Sequence, residues 1–318
     1  MSSELLNGQE QEFDADLVDG IDQSSVEGGG PSYPLIQWVY GSTTFKKIGG
    51  MDYLGGLFVK ADKVDAAAMT AAGWTKTERT FESGASEEGY WKREAALSVI
   101  AERRRWEVVA TNGPRQVFPW DKYDAAKEAA NGKKAHGRNQ YLVIVKGLEE
   151  AGPFVLTMKG AASKAFESFR DQNAVLSRFS NTVIRAANAA SDATAKKVNK
   201  PAGKKWAYRA FWLPVGAARD EKGEPIYTEV GKAPETSKLV LPVALGLPDK
   251  AEQVDIKRFF VGKDLLTVVN DIYEATADWR GAWDNIKPGA VEGGDVLAAT
   301  DIAAANDAED ANLVAAGL

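Results

Sequence analysis

The spacing of apolar positions divides this chain into many short strands and a few helices. Continuous or alternating apolar runs over 34–40 and 54–60 predict two strands. Gly41 closes the first, and Gly55-Gly56 sit inside the second, where paired glycines mark a bulge or a close approach of another backbone. Residues 62–72 are alanine-rich behind Asp62, an N-capping residue type, and predict a short helix. Strands are expected next over 74–82, 90–100 and 102–111, with Asn112-Gly113 as a hairpin turn. A short helix over 121–130 precedes the strongest strand signal, 139–147, which 154–159 follows as its neighbour.

After residue 160 the apolar period lengthens. Phe166, Phe169, Val175, Leu176, Phe179, Val183 and Ile184 recur at three to four residues and predict a helix over 161–190 packed on the sheet. A basic loop is expected over 191–205, then strands over 206–215, 225–230 and 238–244, with Pro214, Pro225 and Pro242 at edges. Leu265, Leu266, Val268, Val269, Ile272 and Trp279 form the apolar face of a last helix over 263–284. The pattern therefore predicts an α+β, β-rich protein: an OB-like barrel or a curved antiparallel sheet with packed helices. Its expected divisions are a disordered acidic arm (1–30), an OB-like β domain (31–160), a helix with a second β region and a C-terminal helix (161–287), and a flexible acidic tail (288–318).

Charge changes this picture more than composition does. The net charge of −6 hides a strong asymmetry. Residues 1–30 carry eight acidic side chains and residues 288–318 carry six, with no Lys or Arg in either segment. All 39 basic residues lie in 31–287 beside 31 acidic ones, so the body has a net charge of +8. A basic body with acidic ends suits a protein that handles a polyanion. Two windows, Ala129–Leu148 and Ala193–Arg219, contain no acidic residue at all. The absence of cysteine excludes thiolate zinc sites and cysteine nucleophiles, and the one histidine, His136 in a Lys/Gly-rich loop, excludes a zinc site built from several histidines within one chain. No P-loop is present. No apolar run approaches the roughly 18–20 residues of a membrane span, and the acidic N-terminus does not read as a leader, so a cytoplasmic protein is expected.

Candidate chemistry lies in the interleaving of aromatic and basic residues. A single-strand binder needs cations along the phosphates and flat rings under the bases. Tyr90-Trp91-Lys92-Arg93, Arg103-Arg104-Arg105-Trp106 and Lys204-Lys205-Trp206-Ala207-Tyr208-Arg209 each supply both, and Arg115, Phe118, Trp120, Lys122 and Tyr123 follow the second cluster. Trp91, Trp106, Trp206 and Trp212 are the expected stacking residues. Arg103, Arg105, Lys204, Lys205 and Arg209 are the expected phosphate contacts. On a strand, Trp206, Tyr208 and Ala210 would share one face.

The layout resembles single-stranded DNA-binding proteins of phages and other mobile genetic elements. The likeness rests on Pro34 to Gly41, the Arg103–Trp106 cluster and Arg138 to Gly160, and spans roughly 34–285. It implies an OB-type barrel that binds single strands, with an acidic tail that recruits protein partners. The sequence departs from that pattern in its tail, which ends Val314-Ala315-Ala316-Gly317-Leu318 without an aromatic, and in its length, which exceeds one simple OB-fold. The resulting expectation is a non-catalytic, cofactor-free and metal-free protein that binds single-stranded DNA with little sequence preference and acts in replication or recombination. RNA binding and homo-oligomerisation stay open. The alternatives are a virion or filament assembly subunit, and a Mg²⁺-dependent nuclease built on Asp249, Asp255 and Lys257.

Overall fold

The computed structural model describes residues 33–40, 55–80, 86–109, 115–132, 135–158, 160–167, 171–198, 201, 205–232 and 235–291. The expected disordered arm and tail, Asn112-Gly113 and Lys204 lie outside the described residues. Everything described belongs to one compact unit.

Thirteen strands are described: β1 (Leu35–Val39), β2 (Gly56–Lys60), β3 (Thr75–Thr80), β4 (Ser86–Lys92), β5 (Glu94–Val109), β6 (Arg115–Pro119), β7 (His136–Val145), β8 (Phe154–Met158), β9 (Leu213–Ala217), β10 (Thr228–Lys232), β11 (Glu235–Leu239), β12 (Pro242–Ala244) and β13 (Ala290–Val291). Eleven form one sheet in the order β12-β9-β5-β7-β8-β1-β2-β4-β3, with β6 paired to β5 and β13 to β6. β10 and β11 make a separate hairpin. The helices are α1 (Ala66–Ala71), α2 (Tyr123–Ala129), α3 (Gly160–Phe166), α4 (Val175–Phe179), α5 (Arg185–Lys197), α6 (Ile256–Phe259), α7 (Lys263–Ala275) and α8 (Ala277–Gly281). Among the described residues no helix is long and apolar enough to cross a membrane.

The α+β class is as the pattern predicts, but the strands close no barrel. The pairing path is open, with β12 and β3 at its two ends, and β1 runs parallel to β8, so the sheet is mixed rather than antiparallel. It is nevertheless strongly curled. In a flat sheet, five strand spacings of ~4.8 Å would separate β1 from β12 by ~24 Å. Instead the Trp38 indole on β1 donates to the carbonyl of Val240, two residues before β12, at 3.0 Å. The inside of this curl holds the main core, including Leu57, Tyr141, Val143, Leu156, Phe166, Phe179 and Leu213. Strands from both sides of residue 160 share the sheet, because β9 pairs with the start of β5.

β5 organises both faces. The pattern predicts a break near Ala101, yet the chain breaks at Arg93 and then runs sixteen residues as one strand. A bulge between Val99 and Ala101 stands where the break was expected. Because side chains alternate, one extra residue reverses the face of everything after it. Leu97 and Val99 point into the main core. Ile100 and Ala101 join a second core with Leu142, Val155, Val269 and Trp279, beneath α7 and α8.

Four further expectations change. The helix expected over 161–190 is two pieces, α3 and then α4, which passes through a π-helical turn (Ser180–Ile184) into α5 and ends at Lys197, inside the expected basic loop. The first helix is capped by Asp65, whose carboxylate accepts from the Ala68 amide at 2.7 Å, and not by Asp62. Val268 lies on the wet side of α7, 48% exposed. Trp206–Trp212 is not a strand: Tyr208–Ala210 form a 3-10 turn, and β9 begins only at Leu213. The expected close approach at Gly56 is present: its φ is +146°, and a Cβ there would lie 2.7 Å from the Lys92 carbonyl oxygen.

Replacing Trp38 by Phe keeps the ring and removes the donor, leaving the buried Val240 carbonyl unpaired. A loss of about 1–3 kcal/mol is expected. Urea unfolding should show it as a lower midpoint at unchanged slope.

Candidate functional site

Alternation along β5 presents Arg103, Arg105 and Glu107 on one face and Glu102, Arg104 and Trp106 on the other. The first face is roofed by α8 and the turn after it. The Arg103 guanidinium lies between two indoles, 4.3 Å from the Trp279 ring centre and 4.4 Å from that of Trp283. It also donates to Gln140 Oε1 at 2.9 and 2.7 Å. Arg105 lies 4.6 Å over Trp283 and pairs with Glu107 at 2.6 Å. Glu107 also meets Arg138 at 2.9 Å and Arg115 at 3.5 Å. Burial alone would push the Glu107 carboxyl up, but the Arg138, Arg105 and Arg115 guanidiniums overcome this and hold it far below the usual carboxylate range. Burial, with the charges of Arg105 and Arg138, pushes Arg103 down. Two of the expected phosphate contacts, Arg103 and Arg105, thus tie the C-terminal helices to the sheet.

The opposite face carries an aromatic platform. Trp106 and Trp120 stack with ring centres 4.2 Å apart and planes 5° from parallel. The Trp106 indole N–H donates to the Trp120 carbonyl at 2.8 Å, which locks the pair. Tyr123, the first residue of α2, adds a third ring 4.8 Å from Trp106 and is 47% exposed. Gly137 lies opposite Trp106 in the sheet register, and a Cβ there would come 3.3 Å from the Trp120 ring. A side chain at that position would press on the stack. Arg104 stands 5.7 Å from the Trp120 ring centre. It is held by Glu102 at 2.8 Å and by a short contact with Glu167. Glu167 in turn accepts from the Tyr141 hydroxyl and, at 3.3 Å, from the Asn139 amide. Burial raises the Glu167 carboxyl above its usual value, against the opposing Tyr141 hydrogen bond. Lys122 and Lys127 are exposed beside Tyr123 on the same turn and helix.

The remaining expected residues are scattered. Trp91 is buried in the main core, and Arg93 lies 5.7 Å from its ring centre. Trp206 packs edge-on against Phe211 and Phe260 at 5.6 and 6.0 Å. Trp212 is buried beneath Lys146, 5.8 Å from its ring centre. Arg209 bonds Asn270 at 2.7 Å and lies 4.1 Å over Tyr273. Lys205 is exposed. Of the four stacking candidates, only Trp106 belongs to the platform. Trp120 and Tyr123 complete it, and their signal was their place immediately after the Arg103–Trp106 strand. His136 begins β7 instead of sitting in a loop. Asp249 pairs with Arg178 at 3.5 Å, and Asp255 caps α6 by accepting from the Lys257 amide at 3.1 Å. Among the described residues, no three His, Asp or Glu side chains are grouped to hold a metal ion.

Comparison with known proteins adds one relation. Residues 35–211 match the family described as "Domain of unknown function (DUF5895)". The matched span includes the whole Trp106–Trp120–Tyr123 platform and stops before β9. No curated protein and no solved structure matches the chain.

Glu107→Gln removes the one carboxylate among three guanidiniums and should destabilise the fold by about 3–5 kcal/mol, measured by chemical denaturation. The pH dependence has a definite sign. The Glu107 pKa is depressed in the folded state, so its contribution is complete above its usual 4.5 and drains away as pH falls below that value. Stability of the parent protein should therefore drop on acidification below pH ~4.5, and less steeply in Glu107→Gln.

Proposed function

The chain belongs to the DUF5895 family, and we propose that it binds single-stranded nucleic acid, single-stranded DNA foremost, without strong sequence preference and in the service of replication or recombination. The observation that carries this reading is the parallel Trp106–Trp120 pair with the half-exposed Tyr123 beside it. Stacked, prelocked rings are the surface that an unpaired base seeks, at about 1–3 kcal/mol per base. Every base has a π-face, so such a platform is tolerant of sequence. Lys127 on the adjoining helix, and Lys122 in exchange for its exposed pair with Asp121 at 3.0 Å, supply cations for the phosphates. Binding mediated by phosphate contacts weakens steeply as salt rises.

The acidic segment fits the same reading as a competitor. β13 pairs with β6 through Ala290–Val117 and Val291–Gln116, so at Val291 the chain has β6 between it and β5. That segment contains six acidic and no basic residues. It opposes a polyanion for the same cations.

Titration with oligo-dT should quench tryptophan fluorescence, strongly at low salt and weakly at high salt. Tyr123→Ala, an exposed change that leaves the core intact, should weaken binding about tenfold. Absence of salt-sensitive quenching, with concentration-dependent self-association instead, would favour the assembly-subunit alternative. A chain ending at Val291 should bind oligo-dT more tightly than the full chain at low ionic strength, and the difference should fade as salt screens it. Equal affinities at low salt would remove the competitor role.

A further inference from the structure

A second surface lies at the other end of β5, ten residues and ~33 Å of strand from the platform. There the start of β5, the end of β7, the start of β9, the turn after β12 and α6 enclose a groove of about 460 Å³. The enclosure follows from the backbone. The Lys146 amide bonds the Ala96 carbonyl at 2.9 Å, that of Leu245 bonds Pro214 at 2.9 Å, and that of Trp212 bonds Phe259 at 2.6 Å. Ala95 and Ala96 border the groove from opposite faces of β5 with nothing larger than a methyl group, and the largely buried Trp212 and Phe259 also line it.

The rim is cationic. Lys146 and Arg258 are exposed and reach over the two rings, at 5.8 Å from the Trp212 centre and 5.7 Å from the Phe259 centre. Gly246, at φ +60°, leaves Arg258 room, since a Cβ there would lie 3.4 Å from Nη2. Lys92 is the third cation, and its ammonium donates to the Ala72 carbonyl at 2.5 Å. The same α1 turn packs on Gly147, next to Lys146, so the Lys92 and Lys146 side chains start from one corner. Burial pushes the Lys92 ammonium down despite the nearby Glu94 carboxylate. Glu94 is the one acid of the lining.

Three cations against one carboxylate, above an apolar bed with a large ring, match a ligand with a flat ring and a doubly charged anionic group. We propose that this groove is a second binding site for a small planar phosphate ester, of which a nucleoside monophosphate is the simplest case. The ring lies against Ala96 and the part of Trp212 that lines the groove, and the phosphate meets Lys146, Arg258 and Lys92. The site does not depend on the strand-binding reading, because it shares no residue with the platform.

The test is equilibrium binding of adenosine 5′-monophosphate to the full chain, with adenosine and inorganic phosphate as the separated halves. The nucleotide should bind about tenfold or more tightly than either half, because charge-assisted hydrogen bonds and ring burial act together. Lys146→Ala and Arg258→Ala alter exposed side chains and should each weaken it about tenfold. Glu94→Gln should tighten it, and Lys122→Ala, at the platform, should leave it unchanged. Nucleotide binding no tighter than adenosine, or unaffected by both Lys146→Ala and Arg258→Ala, overturns the proposal. Competition identifies the source of the phosphate ester. Displacement by 5′-phosphorylated oligo-dT alone assigns the groove to a strand end. Displacement by neither phosphorylated nor unphosphorylated oligo-dT assigns it to free nucleotides. Displacement by both merges it with the strand surface and overturns a separate site. Loss of oligo-dT binding in Tyr123→Ala with nucleotide binding intact would keep the two readings apart.

Discussion

Strand β5 imposes the constraint on which the rest of the molecule depends. It pairs with β9 at its start, with β7 along most of its length and with β6 at its end. A sixteen-residue strand with strict alternation would send one set of side chains to one face throughout. The extra residue between Val99 and Ala101 prevents that. It keeps Leu97 and Val99 in the main core while turning Arg103, Arg105 and Glu107 toward the C-terminal helices. Without it, the two sets would exchange faces, and Arg103 would lose its place between Trp279 and Trp283. The same reversal sends Trp106 to the face where Trp120 and Tyr123 await it.

Charge that looks unbalanced along the chain is partly balanced in space. The window Ala129–Leu148 contains no acid, yet Arg138 within it reaches Glu107 across a strand pair. Arg209, from the second acid-free window, is held by Asn270 and Tyr273. Arginine suits these positions because its planar cation stacks on rings while its N–H groups reach polar partners in the ring plane. Arg103 between Trp279 and Trp283 does both at once. Other cations, such as Lys127, Lys146, Lys205 and Arg258, are exposed.

Rings serve two purposes here, and burial separates them. Trp91, Trp206 and Trp212 are packed into or against the cores, where their area stabilises the fold. Trp106 packs on a small satellite core formed by Val108, Phe118, Ala126, Ala130 and Ala135, and Trp120 and Tyr123 pack on Trp106. That core is too thin to cover three large rings. The platform therefore keeps part of its ring surface exposed.

Local rules determined much of this protein. The β-rich α+β class, the strands near 35–39, 56–60, 75–80, 136–145 and 154–158, and the helix near 123–129 follow from apolar period, turn residues and glycine placement. The uneven charge and the absence of cysteine are properties of the chain itself. What required the tertiary structure was everything set by partners far away in sequence. The bulge in β5 and the open, curled path of the sheet depend on which strands pair, and short-range pattern carries no register. The π-helical turn that extends α4 into α5 buries Thr182 and Val183, so packing on the sheet overrode the loop signal of the Ala/Lys segment. The candidate site shows the same division. The Arg103–Trp106 cluster is conspicuous in the sequence, but which of its residues hold the fold and which face outward is decided by α7 and α8, more than 150 residues later. A strand's two faces are chemically equivalent until something covers one of them, and the covering helices are chosen by tertiary packing.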